Sequence, residues 1–124
     1  MLNRKYSLKT RYNFRAVLNG GDTFHASHLI VKYLRKDEKA FEGQADKKFA
    51  VIASNRFCKK AVTQNKIRRM VLDSVRKKID KFAKYYYYVF IPKKTLINEN
   101  GKIAVDAKSI DTEIDTFLSE VDFS

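Results

Sequence analysis

The 124 residues predict a single-domain α+β fold: a four-stranded sheet packed with helices in the order α-β-β-β-α-β-α. Three observations lead there. The length suits one domain, and no repeat, low-complexity tract or Pro/Gly/Ser-rich linker divides the chain, whose single proline is Pro92. Residues 63–82 and 106–121 carry apolar side chains at helical period. Four shorter apolar or β-branched runs accompany them, separated by polar or glycine-containing segments.

Taken in order, residues 9–18 form a short helix, with Phe14, Val17 and Leu18 at i, i+3 and i+4 as its apolar stripe and Gly20-Gly21 as its stop. Residues 24–26 make a short strand. Residues 29–35, LIVKYLR, are β-branched and aromatic enough for a second. Residues 36–47 are polar and read as a turn or mobile loop. Residues 49–54, FAVIAS, are continuously apolar and read as a central strand. A helix follows over 63–82. Residues 86–91 are a strand ended by Pro92. Alternation within the run Tyr85-Tyr86-Tyr87-Tyr88 sends half of the rings to the core and half outward. Asn98-Glu99-Asn100-Gly101 is a turn. Asp106 N-caps a last helix through Val121, striped by Ile110, Ile114, Phe117, Leu118 and Val121.

The net charge is +12 with pI near 9.8, and it is unevenly spread. Residues 1–20 hold five cations and no acid; residues 47–84 hold thirteen cations and only Asp73 and Asp80 as acids. Residues 106–124 reverse the balance, with six acids and one lysine. A basic body with an acidic last element points to nucleic acid, and less to an anionic membrane surface, with one side kept away from the anion. The single cysteine, Cys58, excludes an internal disulfide and a multi-cysteine zinc site, in keeping with a reducing compartment. No signal peptide and no apolar stretch of about 20 residues is present, so the expectation is a soluble cytoplasmic protein without a membrane.

The densest charge lies in SNRFCKKAVTQNKIRR, residues 54–69, where Arg56, Lys59, Lys60, Lys66, Arg68 and Arg69 meet no acid. At 100° per residue, Ile67, Met70, Val71, Val75, Ile79 and Phe82 share one side of the helix. Asn65, Lys66, Arg69, Asp73, Arg76 and Lys77 share the other, with Arg68 at the margin. One face is therefore buried and the other offers cations and an asparagine. A solvated lysine-rich face is the plain alternative. An anion site is favoured by the arginines, which suit bidentate phosphate contacts, by the cations of the preceding loop, and by the free N–H groups of the helix start.

No enzyme site competes. His25 and His28 lie three apart in a strand or turn, on opposite faces, and read as structural. Asp73 and Asp80 read as local ion-pair partners of Arg69, Arg76, Lys77 or Lys84. Asp111, Glu113 and Asp115 read as the solvated side of the last helix. The cations around Cys58 favour its thiolate, but no positioned base accompanies it. There is no glycine-rich phosphate loop. A stand-alone metal-dependent nuclease would need acids or histidines near the basic face.

The basic stretch resembles the signature of the bacterial ribonuclease P protein component, roughly S-K-K-x-x-x-x-A-V-x-R-N-R/K-x-K/R-R. Ser54, Arg56, Ala61, Val62, Asn65, Lys66, Arg68 and Arg69 fit it. Residues 8–21, LKTRYNFRAVLNGG, are similar to that family's opening, L-K-x-x-x-x-F-x-x-V-F/L-x-x-G. Three positions depart: Gln64 replaces an arginine, Asn55 a lysine, and Leu18 an aromatic. The resemblance implies the ribonuclease P protein-like fold, also described as ribosomal S5 domain 2-like. It implies an RNA-binding subunit that assists a catalytic RNA in endonucleolytic removal of the 5′ leader from precursor tRNA. Arg56, Lys59, Lys60, Asn65, Lys66, Arg68 and Arg69 would then bind ribonuclease P RNA. Arg11, Phe14, Arg15, Leu18 and Lys32 would line a cleft for the leader, although Phe14 also reads as a plain core residue. No residue of the chain would be catalytic or hold a metal. Mg2+ would serve the holoenzyme, and no protein partner would be required. A structural RNA-binding protein, such as a ribosomal one, is the rival reading of the charge.

Overall fold

A computed structural model describes residues 2–53 and 59–123. Arg56, Asn55 and Cys58 lie outside the described residues. The elements follow the expected order: α1 (Arg11–Gly20), β1 (Asp22–His25), β2 (Leu29–Arg35), β3 (Lys47–Val51), α2 (Ala61–Lys77), β4 (Tyr86–Pro92) and α3 (Ala107–Glu120). Short 3-10 turns punctuate them, among them Glu38–Phe41, which buries Phe41 inside the predicted loop.

The sheet order is β1-β2-β4-β3. β1 and β2 form an antiparallel hairpin, β2 pairs antiparallel with β4, and β3 pairs parallel with β4 through the α2 crossover. The strand read at residues 49–54 is β3, Lys47–Val51, and it lies at the edge of the sheet and not at its centre. Its outer side is covered by the N-terminal chain: Ser7 bridges to Phe49, and the Leu8 N–H donates to the Phe49 carbonyl at 2.9 Å. Continuous apolarity reports burial on both faces, which an edge strand under such cover also has.

Three layers result. α2 and α3 cover one face of the sheet over a core that includes Val31, Phe49, Ile67, Val71, Tyr88, Phe90 and Phe117. α1 covers the other face over Val17, Ala50, Tyr87 and Val89, with Phe14, Leu18 and Ile52 half-buried at its margin. Because both faces are covered, Tyr86, Tyr87 and Tyr88 are all buried, against the expectation that half would face outward. Only Tyr85, which precedes β4 in a left-handed backbone conformation (φ 66°), stays partly exposed, its hydroxyl donating to Glu38 at 3.1 Å. Gly21, the C-cap of α1, has no room for a side chain: a Cβ there would lie 2.6 Å from the Val17 carbonyl oxygen and 2.8 Å from that of Tyr33.

Buried Lys47 donates from Nζ to the carbonyls of Ile79 (2.9 Å) and Phe82 (3.0 Å), just beyond the end of α2. Burial pushes its pKa down, against the pull of neighbouring Asp46.

The acids of α3 are more than a solvated face. Asp111 meets Lys77 at 3.8 Å and Asp115 meets Lys78 at 3.0 Å. Glu113 clamps His28, accepting from its backbone N–H at 2.7 Å and bonding Nδ1 at 2.6 Å. The acidic helix thus neutralises the C-terminal end of α2. Its own start is the predicted cap: Asp106 Oδ1 accepts from the N–H and the hydroxyl of Ser109, both at 3.0 Å. Those bonds hold the Asp106 carboxyl below the ordinary aspartate value of 3.8. A depressed folded-state pKa contributes stability above that value, and the contribution is lost as pH falls through the folded pKa. Asp106→Asn keeps an acceptor but cannot titrate. Thermal melts between about pH 5 and pH 2 should therefore show a smaller acid loss for the variant than for the parent; equal losses would remove the cap from the acid response.

Candidate nucleic-acid interface

α2 is amphipathic as its period predicts. Ile67, Val71 and Val75 are buried, Met70 is half-buried, and Asn65, Lys66, Arg69, Arg76 and Lys77 are exposed. Arg68, at the margin, is held in place. Its Nη1 donates to Asn65 Oδ1 at 3.1 Å and its Nη2 to the Ala53 carbonyl at 3.3 Å. Asn65 one turn earlier is thus the device that orients the guanidinium at the exit of β3. Among the described residues no ion pair engages Lys66 or Arg69, while the far end of the same helix is paired with α3. The positive field is concentrated on the N-terminal half of α2 by that asymmetry.

Among the described residues no side chain caps the start of α2. Lys60 and Thr63 instead tie it to the 98–101 turn: Lys60 Nζ donates to the Asn100 carbonyl at 2.9 Å and Thr63 Oγ1 to the Gly101 carbonyl at 2.9 Å. Gly101 takes the φ of 73° that its turn requires. Lys59 is exposed beside it. Val62, in the same turn, is an exposed apolar side chain. Val62 fits the sequence motif but stands on the surface, and nothing local in the sequence marks Thr63 as an anchor.

The α1 residues also come together. Lys9, Arg11, Phe14, Arg15, Leu18 and Ile52 line one open groove between α1 and the end of β3. Phe14 and Leu18 belong both to the groove and to the margin of the core, so the two readings of Phe14 coexist. Arg11 and Arg15 are exposed at its rim. Lys32 does not line it. Its Nζ donates to the Leu18 carbonyl at 3.3 Å, near the end of α1, where a cation is favoured. Lys9 and Ile52 were not singled out from the sequence. Lys9 stands before the helical stripe, and Ile52 looked like plain core.

The two surfaces meet at the exit of β3. The Ile52 side chain lines the α1 groove, and the next residue, Ala53, offers its carbonyl to Arg68 of α2. One cationic surface and one groove with apolar walls and cationic rims therefore flank a single strand end. That combination suits a polyanion gripped along its backbone, with bases resting on apolar faces. Among the described residues no group of three or more His, Cys, Asp or Glu is placed to hold a metal ion, and no helix is long and apolar enough to cross a membrane.

A family model described as Ribonuclease P matches residues 2–118. The chain is 28% identical over 78 residues to the ribonuclease P protein component of Microcystis aeruginosa (strain NIES-843 / IAM M-2473), and the match spans 63% of each protein's length. Its fold is similar to that of the RNase P protein from Thermotoga maritima, with a TM-score of 0.75 at 21% identity over 94% of this chain and 97% of that one. It is similar as well to the RNase P protein of Staphylococcus aureus, with a TM-score of 0.70 at 14% identity over 92% and 93%.

Proposed function

This chain belongs to the ribonuclease P protein family, and on that premise we propose that it is the RNA-binding subunit of a ribonuclease P holoenzyme. It assists endonucleolytic removal of the 5′ leader from precursor tRNA, and the RNA subunit performs the hydrolysis. The observation that carries this reading is the meeting of the α2 face and the α1 groove at Ile52-Ala53. Lys59, Lys60, Lys66, Arg68 and Arg69, with Asn65 orienting Arg68 and with Arg56 from the preceding segment, hold the catalytic RNA by its phosphates. Arg11 and Arg15 hold the leader's backbone over Phe14 and Leu18. Lys32 supports that cleft through the end of α1. Mg2+ would serve the holoenzyme. The chain acts as one RNA-binding domain in the cytoplasm, with no protein partner.

Reconstitution tests it. The protein is mixed with a bacterial ribonuclease P RNA and precursor tRNA at low magnesium, beside RNA-only and protein-only controls. Stimulated 5′ cleavage by the mixture is the expected result. Cleavage by the protein alone would assign the chemistry to this chain, and ribosomal RNA binding without stimulation would favour a structural role. Gln64 offers a finer check. It replaces a family arginine at a half-exposed position on the first turn of α2, beside Lys60 and Asn65. Gln64→Arg should tighten binding to the catalytic RNA several-fold by adding one phosphate contact. Unchanged affinity would mean that Lys59 and Lys60 already fill that place.

A further inference from the structure

We propose that the α1 groove continues past the start of α1 into a second pocket, whose charged lining is cationic, and which takes the phosphates of leader nucleotides lying further from the cleavage site. This rests on the leader reading above. Four cations line the pocket, Arg4, Lys5, Lys9 and Lys48, with Thr10 and Asn13 from the start of α1. No acid lines it. Lys9 borders both the pocket and the groove, so the two are continuous. The cations come from separate segments, and two of them have contacts that hold them: Lys48 Nζ donates to the Lys5 carbonyl at 2.7 Å, and the Lys5 ammonium lies 5.1 Å from the centre of the Tyr6 ring. Burial, and then the charge of Lys9, push the Lys48 ammonium below its ordinary pKa. Gathering like charges in a concavity is unfavourable without an anion, and phosphates supply one.

The direction follows from β3. Lys48 and Ile52 lie on the same face, four residues or about 13 Å apart. The Ile52 end adjoins the Arg68 contact and hence the proposed catalytic RNA. The Lys48 end points away from it, toward the leader's free 5′ end. Beyond the pocket, Gln44 leads into a cavity bordered by Glu38, Glu42 and Asp46, with Lys39 as its cation. Three acids facing an incoming phosphate end the path there.

The test uses the reconstituted holoenzyme and precursor tRNAs whose leaders grow one nucleotide at a time. Wild-type affinity is expected to climb with leader length and then level. Arg4→Gln/Lys5→Gln alters two exposed side chains. It should level at a shorter leader, losing several-fold on long leaders and nothing on short ones. Identical length curves for the two proteins would overturn the extension alone, as would an equal loss on every substrate, including leaderless tRNA. Wild-type affinity that ignores leader length altogether would overturn the leader reading with it. Arg15→Gln separates the cases, because it should weaken even the short leaders.

Discussion

The affinity of this protein for ribonuclease P RNA is expected to fall about 10³-fold between roughly 50 and 200 mM monovalent salt. The size follows from the surface. Lys59, Lys60, Lys66 and Arg69 are exposed, and Arg68 is held between Asn65 and the Ala53 carbonyl beside them. A patch of this extent engages on the order of five to eight phosphates, and each one neutralised releases close to one counterion. Lys66→Gln/Arg69→Gln should lower the slope of log affinity against log salt by about 2. Lys77→Gln, on the same helix but paired with Asp111 at 3.8 Å, should leave the slope where it was. Titrations of labelled RNA at several salt concentrations decide it. A shallow slope, or one that the double variant does not change, would remove the α2 face from the RNA interface.

That contrast between two halves of one helix was only partly legible in the sequence. The 3.6 period separated Ile67, Val71 and Val75 from Lys66 and Arg69 because it is a local property of the chain. Locality also explains why Leu29–Arg35 and the Asp106 cap agree with the sequence reading residue for residue. Glu113 looked like any acid on a polar helix face, since nothing near it in the chain announces His28, 85 residues away. β3 looked central because burial on both faces was legible, whereas the residue 7–8 segment that covers its outer side comes from another part of the chain. Alternation left half of the tyrosine rings outside because Phe41 and α1, which cluster with Tyr87, dock from a distance in sequence. For the interface, residue types and spacing named the cations of α2 and α1. They could not show that Asn65 serves Arg68, that Lys32 turns to the end of α1, or that Lys9 joins two cavities. Each of those depends on where a strand end or helix end lands.

Phe49→Ala is expected to be the most damaging single change in the described core, costing about 3–5 kcal/mol. Phe49 is 2% exposed, and its ring stacks on Tyr88 at 5.1 Å and meets Phe82 edge-on at 4.8 Å. Removing it leaves a void that aromatic neighbours cannot close without leaving their rotamers. Total stability for a domain of this kind is about 5–15 kcal/mol, so the loss is a large share of it and should lower the melting temperature by roughly 10–20 °C. Phe49→Leu, which refills most of the volume, should lose less than half as much. Tyr12→Ala, at a position 78% exposed, should stay within about 0.5 kcal/mol. Phe49 also bears on function, because β3 carries Ile52 and Ala53 to the junction of the two RNA surfaces. An RNA that binds the folded junction stabilises it by about 2.7 kcal/mol at a hundredfold excess over its Kd. Ribonuclease P RNA should therefore recover much of the melting temperature that Phe49→Ala loses, and sulfate should do the same more weakly. A Phe49→Ala protein that melts like the parent would refute the account of the core. One that RNA leaves unmoved, at concentrations that saturate the parent, would separate the folded β3–α2 junction from RNA binding.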